Sequence, residues 1–178
     1  MDDAYSSIPE TCAHIGMVAK YLGIIEHQLL VRECEHDFSK KHPPESDIFD
    51  IYTPKLKGTT YGSDKYKRYL TEMKPALDHH YANNRHHPEH HENGINDMNL
   101  IDLVEMFCDW MAATKRHADG DIIKSIEING ERFGISEQLK SILRNTVEVL
   151  EDTNPHIVSS QHDYREWRHK NSDFHPNE

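Results

Sequence analysis

The sequence predicts an all-α protein, and three observations favour this fold class. Apolar residues recur at helical spacings of three and four in several long stretches. Proline and capping residues stand where those stretches begin or end. The 178 residues are enough for one domain with a buried core and too few for two domains of ordinary size. We therefore expect one helical domain over residues 1–155 and a polar, flexible tail over 156–178.

The first predicted helix begins at Pro9, because proline suits the first turn of a helix. Its apolar stripe runs to Leu29 at spacings of three and four, and His14 falls on that stripe. An amphipathic helix buries its apolar stripe against a core. We therefore expect His14 to point into the protein.

A second, short helix is predicted over 32–41, with His36 and Asp37 inside it. The paired prolines at 43–44 should end this helix. Residues 45–64 are rich in Pro, Gly, Ser and Thr, which predicts a long connecting loop. Loops of this length in compact domains are often functional, so the segment is a candidate substrate lid.

Two further helices are predicted on either side of a polar segment. One covers 64–81 with a kink at Pro75 and His80 pointing inward. The other covers 97–116 with Asp97 as its N-cap. The apolar stripe expected to face the core in this helix consists of Leu100, Leu103, Val104, Phe107 and Met111.

The remaining part of the chain is predicted to add two helices before the tail. Residues 121–128 are compatible with a helix or with one arm of a hairpin around Asn129-Gly130, and we favour the helix. Residues 136–150 carry the spacing of an amphipathic helix that closes the fold.

The charge of the chain limits its partners. A formal net charge of −11, with basic residues scattered along the sequence, disfavours nucleic acid polymers and anionic membranes. A small phosphorylated ligand held by a metal ion is compatible with that charge. Homo-oligomer formation stays open.

The cysteines and the N-terminal sequence bear on location. Cys12, Cys34 and Cys108 are far apart, and an odd number cannot pair completely within one chain. The chain starts without a basic, then apolar, leader and has no run of eighteen apolar residues. We therefore expect a cytoplasmic protein without membrane spans.

Histidine is over-represented, with fifteen in the chain and six of them between His79 and His91. Imidazole nitrogens and carboxylate oxygens from several helices can converge on a divalent metal ion. Such a cluster can also be a solvated loop, and six histidines cannot all bind one centre. The predicted ligands are His14, His36, Asp37, His80, His86, His87 and Asp109.

Two more carboxylates, Asp102 and Glu105, share a helical face with Asp109. They are either residues at the edge of the core or groups that orient a ligating imidazole. The sequence leaves these two interpretations open.

The motif order resembles that of the HD-domain metal-dependent phosphohydrolase superfamily. A lone His14 is followed by His36-Asp37 and Lys40 in the pattern HDxxK, and then by a distal Asp109 within an apolar helical stretch. The likeness covers most of the chain up to about residue 115. It implies an HD-domain-like helical bundle with these residues at its metal centre.

Residues 86–94, with sequence HHPEHHENG, are similar to a segment of the HD-GYP branch, which binds two or three metals. The chain lacks the Gly-Tyr-Pro triplet, so cyclic dinucleotide hydrolysis is not implied. Residues 79–109 also resemble a small uncharacterised family found in phage and bacterial genomes.

The resemblance implies a metal-dependent phosphohydrolase that acts on a nucleotide or another small phosphoester. The implied cofactor is a divalent metal, with two ions chosen from Mn, Fe, Co, Mg or Zn. Asp37 and Lys40 are the predicted catalytic residues, and the predicted substrate-binding residues are Lys40, Arg85, His90 and Tyr81. Two alternatives stay open: a di-iron oxygenase of the same superfamily, and a protein that binds metal or nucleotide without catalysis.

Overall fold

A computed structural model describes residues 5–60, 63–116 and 120–151. These residues form helices and connecting turns without any strand, which confirms the all-α prediction. The α-helices are α1 (Ile8–Glu35), α2 (Glu45–Lys57), α3 (Asp64–Glu72), α4 (Lys74–Asn83), α5 (Leu100–Thr114), α6 (Ile122–Phe133) and α7 (Glu137–Glu151). Single 3-10 turns are Phe38–Lys41, Pro88–His90 and Gly94–Asp97.

Residues 26–135 form one compact unit, and the described residues before 26 and after 135 belong to a second one. The core of the first unit contains Met73, Ala76, Met106, Phe107, Trp110, Ile122, Ile126 and Ile135. The expectation of a single domain over 1–155 stays a prediction, and the predicted tail lies outside the described residues. Among the described helices, none has both the length and the apolarity that crossing a bilayer requires.

α1 is the long helix predicted from Pro9, but no residue of it is buried. The expectation that His14 points into the protein is therefore wrong, because His14 is exposed. The separate helix predicted over 32–41 is also wrong. α1 continues to Glu35, the chain turns at His36 and Asp37, and a 3-10 turn follows.

α2 occupies the segment that was predicted to be a loop and candidate lid. Pro44 directly precedes this helix, so the prolines that end one segment also begin the next. Acidic Glu45 and Asp47 lie in the first turn, where they interact favourably with the helix dipole. The main consequence is the position of Glu45, whose side chain is completely buried.

α3 and α4 replace the single kinked helix predicted over 64–81. Ser63 caps α3 by accepting a hydrogen bond from the Tyr66 backbone amide. The helical hydrogen bonding is interrupted at Met73, and Pro75 lies in the first turn of α4. The proline therefore starts a helix here instead of bending one. His80 is buried on α4, as predicted.

α5 starts later than predicted, with its N-cap at Asn99, two residues after Asp97. Asn99 and Asp102 form a reciprocal capping box. The buried residues of α5 are Asp102, Glu105, Met106, Phe107 and Trp110. Two residues of the predicted core stripe are exposed, since Leu100 is 73% and Val104 42% accessible. The helix thus turns its carboxylates inward.

α6 confirms the helix that was favoured over a hairpin for 121–128. It continues through Asn129 and Gly130 and ends at Gly134, which has a φ of 64° and a left-handed conformation suited to glycine. α7 confirms the last predicted helix. The candidate site is formed by α4, α5 and the segments that follow α1 and α4.

Candidate metal centre

Six of the seven predicted ligands come together in the unit formed by 26–135. The described residues contain three groups in which the candidate ligand atoms lie within 4.8 Å of one another, and two of these groups consist of predicted ligands alone. The first group is Asp37, His80, His86 and His87, and the second is His36, Asp37 and Asp109. Asp37 belongs to both, so the geometry resembles a dinuclear site with a shared carboxylate.

Asp37 reaches both groups because the backbone turns at this residue. Its φ of 55° and ψ of 19° are left-handed, a conformation that Asp and Asn adopt more readily than most residues. Oδ1 lies 3.3 Å from His80 Nε2 and 3.6 Å from His86 Nε2. Oδ2 lies 3.6 Å from His36 Nε2. Each carboxylate oxygen therefore faces a different group.

The first group is enclosed. His80 and His86 are 2% and 1% accessible, and the Nε2 atoms of His80 and His87 are 2.8 Å apart. Among the described residues, Asp37 Oδ1 and His86 Nε2 are buried without a hydrogen-bond partner. Buried polar atoms normally have partners, so two orphaned atoms that face each other fit a bound cation.

The second group is more open. His36 Nε2 lies 3.8 Å from Asp109 Oδ1, and the side chains of His36 and Asp109 are 33% and 24% accessible. His36 follows the last turn of α1, whereas Asp109 comes from α5. One imidazole and two carboxylates leave coordination positions for water or substrate.

A further carboxylate joins the two groups from behind. Glu105 Oε1 lies 3.0 Å from His36 Nδ1 and 3.1 Å from His86 Nδ1. When both Nδ1 atoms donate to Glu105, both Nε2 atoms are free to face a metal. Arg32 Nη1 donates to Glu105 Oε2 at 3.0 Å and holds the carboxylate in place. Glu105 thus contacts two imidazoles, in line with the orienting role weighed from the sequence.

Glu45 orients two histidines of α4 in the same way, and its role was not predicted from the sequence. Its Oε2 lies 2.9 Å from His80 Nδ1 and its Oε1 lies 2.7 Å from His79 Nδ1. The only signal in the sequence was an acidic residue just after two prolines, which is common at helix starts and does not point to a metal site.

Asp102 does not contact any predicted ligand. It is completely buried and binds two arginines, Arg32 at 2.9 Å and Arg85 at 3.1 Å. Since Arg32 also binds Glu105, Asp102 supports the centre indirectly by holding Arg32 in place.

The electrostatics of the metal-free centre are strongly perturbed. The carboxylates of Asp109 and Glu105 raise the pKa of His36 to about 10. Burial raises the pKa of Glu105, but hydrogen bonds from His36 and His86 outweigh it and bring the value down to about 2. Burial and the neighbouring imidazoles lower the pKa of His87 to about 3. Without metal, a proton on His36 compensates part of the negative charge of Asp109 and Glu105.

Comparison with known proteins places the chain in a sequence family. Residues 3–156 match the family of unknown function DUF5662. The chain belongs to this family. The matched stretch contains all candidate ligands, and DUF5662 carries no assigned activity. No curated protein and no solved structure matches the chain.

Two more predicted residues have clear positions in this DUF5662 member. His14 is not part of any candidate metal group among the described residues. His14 belongs to the other compact unit, and its role as a ligand stays a prediction. Lys40 Nζ lies 2.5 Å from Asp37 Oδ2, on the same oxygen that faces His36. The structure thus brings Lys40 to the centre.

The other predicted substrate residues contact the protein itself. Arg85 is tied to Asp102, and His90 Nδ1 donates to the Tyr81 carbonyl at 2.8 Å. The Tyr81 ring lies 5.1 Å from the His87 ring, and burial raises the pKa of Tyr81. These contacts order the histidine-bearing segment, and a substrate role for the three residues stays a prediction.

Proposed function

We propose that the protein is a metal-dependent phosphohydrolase that acts on a nucleotide or another small phosphoester through two divalent ions sharing Asp37. The observation that carries this proposal is the position of the Asp37 carboxylate, whose two oxygens face two separate ligand groups. A carboxylate between two metals a few ångströms apart is typical of sites that cleave phosphoesters.

The donor set bears on the metal. Four imidazoles and two carboxylates suit Fe, Mn, Co or Zn, whereas Mg prefers oxygen ligands alone. When bound, the ions would acidify a water molecule and stabilise negative charge on the phosphoryl group. The protein holds the imidazoles in place through Glu105 and Glu45.

Lys40 supplies the positive charge that a phosphoester needs at this centre. In the metal-free protein its ammonium group neutralises Asp37. A cation held by His36, Asp37 and Asp109 would share the same oxygen of Asp37, and Lys40 would then be free to contact a phosphate oxygen. Because the Lys40 side chain is 39% accessible, it can turn to a bound substrate.

A di-iron oxygenase is the second candidate, since four imidazoles and a shared carboxylate also suit iron. The two candidates differ in their metal and in their co-reactant. Phosphate release with Mn or Co supports the hydrolase, whereas oxygen consumption by an iron-loaded protein supports the oxygenase.

The first test is metal content by plasma mass spectrometry on untagged wild type, Asp37→Asn and Asp109→Asn. Asparagine tolerates the left-handed backbone, so Asp37→Asn should fold. We expect about two ions per chain in the wild type, at most about one in Asp109→Asn, and almost none in Asp37→Asn. Equal metal in all three proteins, or none in any, contradicts the dinuclear centre.

The second test is phosphate release from nucleotides and p-nitrophenyl phosphate by the metal-loaded protein. Lys40→Met serves as a variant that should keep its metal and lose turnover by about 10²-fold or more, the usual scale for one electrostatic contact. A Lys40→Met protein that hydrolyses every substrate at the wild-type rate contradicts the role of Lys40. If the metal-loaded wild type releases no phosphate from any of them, the hydrolase proposal is contradicted.

A further inference from the structure

An apolar cleft opens beside the exposed side of the metal centre. Its volume is about 440 Å³, and the last turns of α1 together with α5 line it. The residues that define it are Leu29, Val104, Cys108 and Ala112, with His36 and Asp109 at the end next to the centre. We propose that this cleft binds an apolar part of the substrate, so that the preferred substrates are phosphoesters of an aromatic or aliphatic alcohol.

The inference rests on the proposed function, and accessibility decides the direction of approach. His80 and His86 of the first group are almost completely buried. His36 and Asp109 keep 33% and 24% of their side-chain surface, and both line the cleft. A substrate can therefore approach the centre along the side where the cleft begins.

The size and chemistry of the cleft fit the body of a small molecule. Pockets for small ligands have volumes of about 300–1,000 Å³ and mostly apolar walls with a few polar groups. Here the polar groups are Arg32, Glu33 and Glu105 at the wall and the two candidate ligands at the end. Arg32 is bound to Asp102 and Glu105, so its charge is already neutralised. The cleft therefore favours an uncharged group over a second phosphate.

The phosphoryl group and the alcohol would then have separate places. Lys40 and the second ligand group receive the charged end, and the cleft receives the apolar end. Burial of apolar surface contributes about 25 cal/mol per Å² of area removed from water. The contribution of the cleft thus depends on the alcohol alone, which makes it separable from phosphate binding.

Cys108 allows a direct test, because it lines the cleft and its thiol is exposed. Replacing Cys12 and Cys34 by serine leaves Cys108 as the only cysteine of the full chain. The rate of its alkylation by iodoacetamide is measured on metal-loaded protein with phenylphosphonate or methylphosphonate. Both probes carry the same head group, neither contains a cleavable P–O ester, and only the first has an apolar body.

We expect phenylphosphonate at ten times its dissociation constant to slow alkylation about tenfold, as mass action requires for a ligand that covers the thiol. Methylphosphonate should slow it less than about twofold under the same occupancy. Equal protection by both probes, or by neither, overturns the inference. Protection by phenylphosphonate that persists without metal supports the cleft as a binding site but counts against the metal-dependent phosphohydrolase. Failure of the cleft inference and failure of the proposed function therefore give different results.

Two tryptophan variants control for the position of the ligand. Ala112→Trp places a large ring in the cleft and should abolish protection by phenylphosphonate. Leu100→Trp lies on the same exposed stripe of α5 but outside the cleft, and should keep that protection. If the stripe instead binds another protein chain, both variants change the elution volume in size-exclusion chromatography and neither changes protection, which also overturns the inference.

Discussion

The two long faces of α5 have opposite relations to solvent. One face buries Asp102 and Glu105, which are acidic, and the other exposes Leu100 and Val104, which are apolar. The buried carboxylates are each satisfied by arginine or histidine partners within about 3 Å. Since Met106, Phe107 and Trp110 are buried on the same helix, burial in α5 follows the available polar partners as well as hydrophobicity.

This contrast shows that buried carboxylates can determine which face of a helix turns inward when each of them is paired with a basic side chain. Removing one member of a paired, buried set leaves a charge without compensation, which costs far more than exposing an aliphatic side chain. The acidic face should thus be sensitive to substitution in both stability and metal binding. The apolar face should be tolerant of it and matter only for ligand binding.

The largest difference is expected between Asp102→Ala and Leu100→Ala. Asp102→Ala should lower the free energy of unfolding by about 2–4 kcal/mol, less than for a fully buried pair because both arginines keep some water contact. Leu100→Ala should change it by less than about 0.5 kcal/mol, as surface substitutions usually do. Urea unfolding of both proteins measures this, and equal losses would break the contrast between the faces.

Glu105→Gln sharpens the comparison at the metal. Its carboxylate contacts one imidazole from each ligand group, so metal affinity should fall by about 10–100-fold at both sites. Competition with a chelating dye measures the affinity. Glu33→Gln, an exposed change at the cleft wall, is the control and should keep wild-type affinity. A Glu105→Gln protein with wild-type affinity would mean that Glu105 does not orient the ligands.

Glu45→Gln should affect only half of the centre. Glu45 contacts His80 and His79 and does not contact His36 or Asp109. One ion should therefore bind about 10–100-fold more weakly while the other keeps its affinity. Isothermal titration should resolve two unequal steps in the variant. If both steps weaken together, the two groups are not separable sites.

The smallest expected effect is a pH dependence of the metal-free protein, because the His36 side chain is 33% accessible and solvent screens its ion pairs. Because the pKa of His36 is raised from 6.5 to about 10 in the folded state, its contribution to stability is complete below pH 6.5. The contribution is lost as the pH rises through about 10. Unfolding free energies of wild type and His36→Gln, measured with chelator at pH 6, 8 and 10, should converge with rising pH. A constant difference would contradict a protonated His36.

Sequence patterns predicted the existence of α1, α5, α6 and α7, although they placed the N-cap of α5 at Asp97 instead of Asn99. They failed at 45–57, because turn-forming residues in that stretch obscured a helix that begins directly after Pro44. They also placed Leu100 and Val104 on the inner face of α5, where only Phe107 of the predicted stripe is buried, since periodicity does not reveal which partners a carboxylate will find in space.

The candidate site was predictable as far as residue types determine it. Histidines and aspartates in HD-like order identified six residues that the structure brings together. Glu45 was missed, because its contacts with His79 and His80 depend on long-range packing, which a local spacing rule does not contain. The inward orientation expected for His14 was wrong, since His14 is exposed, and its role as a ligand stays a prediction.

The left-handed turn at Asp37 has a consequence for how this position can vary through evolution. Glycine would relax the backbone but offers no donor atom, and asparagine fits the turn but brings no negative charge to share. Glutamate keeps the charge but suits the turn poorly and displaces the oxygens by one methylene. Backbone geometry and donor chemistry thus select the same residue independently. After saturation mutagenesis and selection for metal binding, aspartate should be the one residue accepted at position 37, whereas the exposed positions of α1 should accept many residues.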